Sequence, residues 1–194
     1  MRDVIFGPIK VDGVNAVNAY AEHITKLEAN DLRLRFGSAI KPEHAVKWVR
    51  SLDFNDTKKQ HVIWAMITEG ELISICHIVI ENNEAEIALS TLPDYRRHGY
   101  SKQLLDTAIS YLRNRNIRNL SMVCLSENHA VQQLAKKAGL ITWTWDGDSV
   151  ASMKLPWPDI STVTKETCAN ALTLWDKQIR YSTNIWYDLL GKSK

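Results

Sequence analysis

Between Glu84 and Leu112 the hydrophobic pattern changes period. Ala85 to Thr91 reads as an apolar strand, and Pro93 ends it because proline cannot donate to a sheet ladder. From Tyr100 the apolar residues Leu104, Leu105, Ala108, Ile109 and Leu112 recur at helical spacing, with Lys102, Gln103, Asp106 and Arg113 opposite. The joint between the two is Arg96-Arg97-His98-Gly99-Tyr100-Ser101. A helix entered from such a loop starts with N–H groups that lack acceptors. Those donors and the positive end of the helix dipole favour an anion. Two arginines and a histidine beside them add to the bias. Taken alone, arginines in a turn are more often a solvated basic surface; with the strand before and the helix behind, the stretch reads as a phosphate-binding turn.

The surrounding pattern is mixed. Val14 to Leu27 has helical spacing, and Leu32-Arg33-Leu34-Arg35-Phe36 alternates apolar and basic like a strand or extended loop. Pro42 opens a helix whose apolar face is Ala45, Val46, Trp48 and Val49. His61 to Thr68 and Leu72 to Glu81 are β-branched strands around Glu69-Gly70-Glu71, and Asn82-Asn83 turns the chain into the strand ending at Thr91, so a meander is expected. Leu120 to Leu125 is a short buried strand. Asn128 is a helix N-cap, Val131, Leu134, Ala135 and Ala138 follow at helical spacing, and Gly139 stops the helix. Ile141 to Trp145 and Val150 to Leu155 suggest a closing hairpin. The first residues carry no clear signal.

The last segment, Ser161 to Leu190, reads as a long helix with a stripe of Leu172, Trp175, Ile179, Ser182, Trp186 and Leu189, flanked by Leu174, Tyr181 and Ile185. Three roles fit it: packing back on the domain, a homodimer interface, or a partner or membrane-surface helix. Aromatic enrichment at interfaces favours the second over the third.

Composition narrows the function classes. Lys and Arg number 24 against 22 Asp and Glu, which argues against a general nucleic-acid or anionic-membrane binder. The N-terminus has no basic-then-apolar leader, and no apolar run approaches the ~20 residues of a membrane span, so a cytoplasmic protein is expected. Cys76, Cys124 and Cys168 lie scattered among apolar residues and read as reduced core cysteines. No GxxxxGK[ST], HExxH or GxSxG is present, the histidines lack metal spacing, and no metal site is expected.

The order from Ile63 to Leu155 resembles the GNAT superfamily of acyl-CoA-dependent N-acyltransferases. The residues that carry the resemblance are Leu89-Ser90-Thr91-Leu92-Pro93-Asp94-Tyr95-Arg96-Arg97-His98-Gly99-Tyr100-Ser101, similar to the family's strand and (Gln/Arg)-x-x-Gly-x-(Gly/Ala) loop. Ser126-Glu127-Asn128 to Ala138-Gly139-Leu140 is similar to its second signature. Within the superfamily, Ala85-Glu86-Ile87-Ala88-Leu89 and, upstream, Leu32-Arg33-Leu34-Arg35-Phe36 are similar to the catalytic domain of bacterial protein-lysine acetyltransferases of the Pat type.

The resemblance implies an α/β (α+β) GNAT fold: a mixed central sheet flanked by helices, here with an extra C-terminal helix. It divides the chain into an acyltransferase domain at 1–158, with its core at 61–155, and the amphipathic helix at 159–194. Acetyl-CoA is the implied acyl donor and a primary amine, on a small molecule or a protein, the acceptor. The backbone amides of Arg97, His98, Gly99, Tyr100, Ser101 and Lys102, with Arg96 beside them, would hold the pyrophosphate. Ser101 departs from the family's Gly/Ala, and its hydroxyl is free to add a contact. Leu89, Ser90 and Thr91 would pair with the pantetheine arm, and Asn128 would cap its helix and touch that arm. Glu86 is the candidate base, with Glu84 in reserve, and burial is expected to raise the pKa of either. The tyrosine that the family uses as acid aligns with Ala135 and is absent. That absence keeps open an alternative: a catalytically silent CoA-binding or protein-interaction module.

Overall fold

The computed structural model describes residues 5–11, 14–145 and 147–189, and side chains among them except at 14, 15, 145 and 179–189. Among the described residues seven strands form one sheet in the order β1-β2-β3-β4-β5-β7-β6. The strands are β1 (Ile5–Val11), β2 (Lys59–Thr68), β3 (Glu71–Glu81), β4 (Glu84–Thr91), β5 (Asn119–Leu125), β6 (Ile141–Trp145) and β7 (Asp148–Lys154). The helices are α1 (Val14–Thr25), α2 (Ala29–Phe36), α3 (Pro42–Arg50), α4 (Tyr100–Asn114), α5 (His129–Lys137) and α6 (Ile160–Leu189). Neighbouring strands run antiparallel except β4 and β5, which are parallel.

The meander is joined by two tight turns. Glu69 and Gly70, then Asn82 and Asn83, take positive φ in pairs, the geometry that matches strand twist in a two-residue hairpin. Ser90 and Thr91, adjacent on β4, point to opposite faces. The Ser90 hydroxyl meets His23 of α1, and the Thr91 hydroxyl meets Ser101 of α4. One face of the sheet is therefore under α1–α3, and the other under α4 and α5. The core between them is continuous, and Trp64, Ile63, Ile73, Ile75, Leu104 and Leu105 are fully buried in it.

Two elements differ from the sequence expectations. The segment Leu32 to Phe36 is helical, not extended. Its start is held by the Asp31 carboxylate, which accepts from the Glu28 N–H at 3.3 Å, and it ends at Gly37 in the left-handed conformation. Leu32 is fully buried, while the arginines extend to polar partners. The first residues, which carried no signal, form β1, and it pairs with β2 around an irregularity between Phe6 and Ile9. Of the cysteines, Cys76 and Cys124 are buried but Cys168 is exposed on α6, so it is not a core residue.

The first half of α6 packs back on the domain, against β1 and α4. The Thr173 hydroxyl accepts the Lys10 N–H of β1 at 2.9 Å, occupying a donor that an edge strand would otherwise leave open. Buried Glu166 accepts from Arg115 at 2.7 Å and from Asn114 at 2.6 Å. Trp175 is 68% exposed. The side chains of Ile179, Tyr181, Ser182, Ile185, Trp186 and Leu189 lie outside the described residues. Among the described residues no helix is long and apolar enough to cross a membrane.

Asn128 caps α5: its Oδ1 accepts the Val131 N–H at 3.3 Å. Asn128→Ala should lower stability by about 1 kcal/mol. Chemical denaturation checks this, and an unchanged midpoint would show that the cap carries no weight.

Candidate active site

β4 and β5 stay together for only three residue pairs: Glu84 with Asn119, Ala85 with Leu120, and Glu86 with Ser121. Beyond Glu86 each strand keeps its outer partner, β4 with β3 and β5 with β7, but the two no longer bond to each other. A V-shaped gap opens, in which Ile87–Thr91 and Met122–Leu125 have no strand partner across from them; at its far end the Thr91 carbonyl accepts from Arg96 and the Leu125 carbonyl from the Asn128 N–H. Leu89, Ser90 and Thr91 are half-buried along one arm. An extended ligand with amide groups of its own can bond to such an edge as a missing strand would.

The gap leads to the start of α4. Gln103 donates the first intrahelical bond, to the Gly99 carbonyl at 3.0 Å. The amides of Tyr100, Ser101 and Lys102 therefore have no acceptor four residues back in the helix. Arg97 and Gly99 both take positive φ, 64° and 82°, which turns the preceding amides into a concave donor cluster of the kind that binds anions. A Cβ built on Gly99 would meet no protein atom within 4 Å, so the space before the helix end is open. The turn has the form of an anion cradle, and the residues present fit a pyrophosphate.

The side chains around the cradle divide their work. Arg96 folds away from it: its guanidinium pairs with Asp31 of α2 at 2.6 Å and donates to the Thr91 carbonyl at 3.2 Å. Lys102 pairs with Asp106 at 2.6 Å. His98 and Tyr100 stack at 5.6 Å. The Ser101 hydroxyl bonds to Thr91 Oγ1 at 2.8 Å, and Thr91 to Ser74 at 2.6 Å. Ser101 thus ties β3, β4 and α4 together, and the free phosphate contact expected of its hydroxyl is already taken.

Glu86 stands at the vertex of the V, on the face that Ser90 shares. It is exposed and makes no side-chain hydrogen bond or ion pair with the described residues. The burial expected for it is absent. Glu84 is also exposed; it accepts from Asn119 Nδ2 at 3.2 Å and lies where the strands are still joined, away from the gap. Of the two carboxylates, Glu86 has the position. Ala135 is fully buried inside α5, so no acid comes from there. Burial raises the Cys124 thiol above its ordinary range, and Asp148 adds to the rise, so the thiol is a poor nucleophile.

The face of β3 and β4 under α1–α3 carries groups that no sequence pattern singled out. His23 is 1% exposed. Its Nδ1 lies 2.6 Å from the Leu72 carbonyl and its Nε2 2.9 Å from Ser90 Oγ. A carbonyl only accepts, so Nδ1 carries the proton and Nε2 accepts from the serine. Burial lowers the His23 pKa to about 4, consistent with that neutral form. His77, 2% exposed, is 3.0 Å from His61 across β2 and β3 and edge-on to Tyr20. The Tyr20 hydroxyl accepts from Arg35 of α2 at 2.7 Å. No local motif marks these residues; they meet only because α1 and α2 cross the meander.

Comparison with known proteins places this geometry. A model of the acetyltransferase (GNAT) family matches residues 27–140. Among curated proteins, none matches the sequence. The GNAT domain of PAT from S. lividans superposes with a TM-score of 0.65 at 20% identity, over 78% of this chain and 89% of that one. The ribosomal-protein-S18-alanine N-acetyltransferase of Escherichia coli gives 0.57 at 14% identity, over 81% and 97%. PaiA N-acetyltransferase from Thermoplasma acidophilum, solved with coenzyme A, gives 0.56 at 16% identity, over 79% and 99%. At these identities the likeness is one of fold.

Proposed function

The chain belongs to the acetyltransferase (GNAT) family, and on that premise we propose that it transfers the acetyl group of acetyl-CoA to a primary amine by direct attack in a ternary complex. One observation carries the proposal: the gap between β4 and β5 opens beside the anion cradle, with Thr91 at the end of β4 bonded at 2.8 Å to Ser101 in the first turn of α4. The amides of Arg97 to Lys102 hold the pyrophosphate, and the free edge at Leu89, Ser90 and Thr91 pairs with the pantetheine arm. Acetyl-CoA supplies an activated thioester: the amide C–N bond forms as the C–S bond breaks, and the proton lost by the amine ends on the thiolate or on water. Glu86 receives that proton directly or through water. Unpaired N–H groups of β4 beyond Glu86 are donors to the carbonyl oxygen as it gains charge. A CoA thiolate is a stable enough leaving group to depart without the acid missing at Ala135.

Acetyl-CoA should raise the melting temperature, since a ligand selective for the native state stabilises it. No shift at millimolar concentration would refute cofactor binding. Thiol release across a panel of amines then tests catalysis. Glu86→Gln should lower turnover at least about tenfold while leaving acetyl-CoA affinity unchanged; equal turnover would remove Glu86 as the base. Buried Ala135 favours a second reading, a CoA-binding module without catalysis. Binding with no thiol release for any amine would establish that one.

A further inference from the structure

Arg35 is a cation without a counter-ion. Its Nη2 donates to the Tyr20 hydroxyl and its guanidinium lies 5.3 Å from the Phe36 ring, but its Nε is buried with no partner. No carboxylate among the described residues is within ion-pair distance of it. The other two α2 side chains that reach out, Asp31 and Arg33, are paired, with Arg96 and Glu127. A part-buried guanidinium left unpaired costs stability, and a buried donor left over costs more. The groups around it are neutral. Burial raises the Tyr20 hydroxyl and lowers both His23 and His77, and the nearby positive charge of Arg35 contributes to each of the histidine shifts.

The location gives the charge a meaning. Tyr20, which Arg35 holds, is edge-on to His77, and His77 sits directly across from Ala88 in the β3–β4 ladder. Glu86, Ala88 and Ser90 point to this face, and α4 lies on the other. An anion at Arg35 is therefore on the acceptor side of the gap and separate from the phosphate cradle. A guanidinium fork matches a carboxylate bidentately, as it does a phosphate, and the cofactor's phosphates have their own cradle.

We propose that Arg35 sets the acceptor class: the amine acetylated here also bears a carboxylate, as an α-amino acid does, and Arg35 binds that carboxylate. This rests on the acetyl-transfer reading above. The test compares α-amino acids with their carboxamides as acceptors, followed by thiol release. Acids should exceed amides in kcat/KM by about tenfold or more. Arg35→Gln should erase the preference by raising KM for the acids, and Arg35→Lys should keep part of it. The change in the acid-to-amide ratio between wild type and variant is the readout, because differences in amine basicity cancel in it. Equal use of amides, acetylation confined to amines without a carboxylate, or a ratio unchanged in both variants would overturn the proposal. So would a variant that loses acetyl-CoA affinity, or acetyl-CoA binding with no amino acid acetylated. Absence of acetyl-CoA binding in the wild type would instead strike the acetyl-transfer reading itself.

Discussion

Gly99→Val should weaken acetyl-CoA binding by about a hundredfold, equivalent to ~2.7 kcal/mol. Gly99 is the N-cap of α4 at φ 82°, and a Cβ added there would meet no protein atom within 4 Å. The substituent therefore projects into the space in front of the helix amides, where the pyrophosphate is expected. A β-branched residue at positive φ also strains the backbone by roughly 1–2 kcal/mol. Gly99→Ala separates the two effects, since it carries most of the strain with little of the bulk. Calorimetric titration with acetyl-CoA reads affinity, and denaturation of the free protein reads strain. A folded Gly99→Val protein that binds as tightly as wild type would show that the cradle is not where the phosphate sits.

The second large effect is acid lability. His23 is neutral in the fold with its pKa lowered to about 4; burial is the main cause, with Arg35 and Lys26 adding to it and the Leu72 carbonyl opposing. In the unfolded chain it titrates near the ordinary histidine value of ~6.5. Between those values the unfolded state binds the extra proton, so stability rises with pH there and is lost as pH falls. Above the upper value the contribution is complete. The span corresponds to about 3 kcal/mol for His23 alone. His77 is shifted in the same direction by burial, and half-buried His61 as well, so they steepen the loss. Urea unfolding at neutral pH and near pH 4.5 should reveal it. His23→Gln should start less stable by roughly 1–3 kcal/mol, from broken buried hydrogen bonds, but fall less with acid. Parallel pH slopes for variant and wild type would refute the assignment.

The sequence displayed the parts whose signals are local. The meander followed from β-branched runs and from the turn residues at Glu69-Gly70-Glu71 and Asn82-Asn83, and α5 from Asn128 and Gly139. The loop at Arg96 to Ser101 was legible because glycine, a strand end and a helix start coincide within a few residues. Leu32-Arg33-Leu34-Arg35-Phe36 misled because its alternation fits a strand, while the helix is settled by Leu32 in the core and by Gly37 at its end. The strand at Ile5–Val11 was hidden because Gly7-Pro8 interrupts its pattern and its partner β2 lies far along the chain. The point where β4 and β5 part depends on register across the sheet and has no local sign. His23 had no local sign either, and Arg35 stood out only within the segment that carries the resemblance; what each side chain meets is settled once the opposing strands are in place.

The helix α2 joins these observations. Asp31 fastens it to the loop after β4 through Arg96, and Arg33 fastens it to the turn after β5 through Glu127. It bridges the two arms of the gap and carries Arg35 on the same few turns. This short helix is thus a crossbeam between the two arms of the gap.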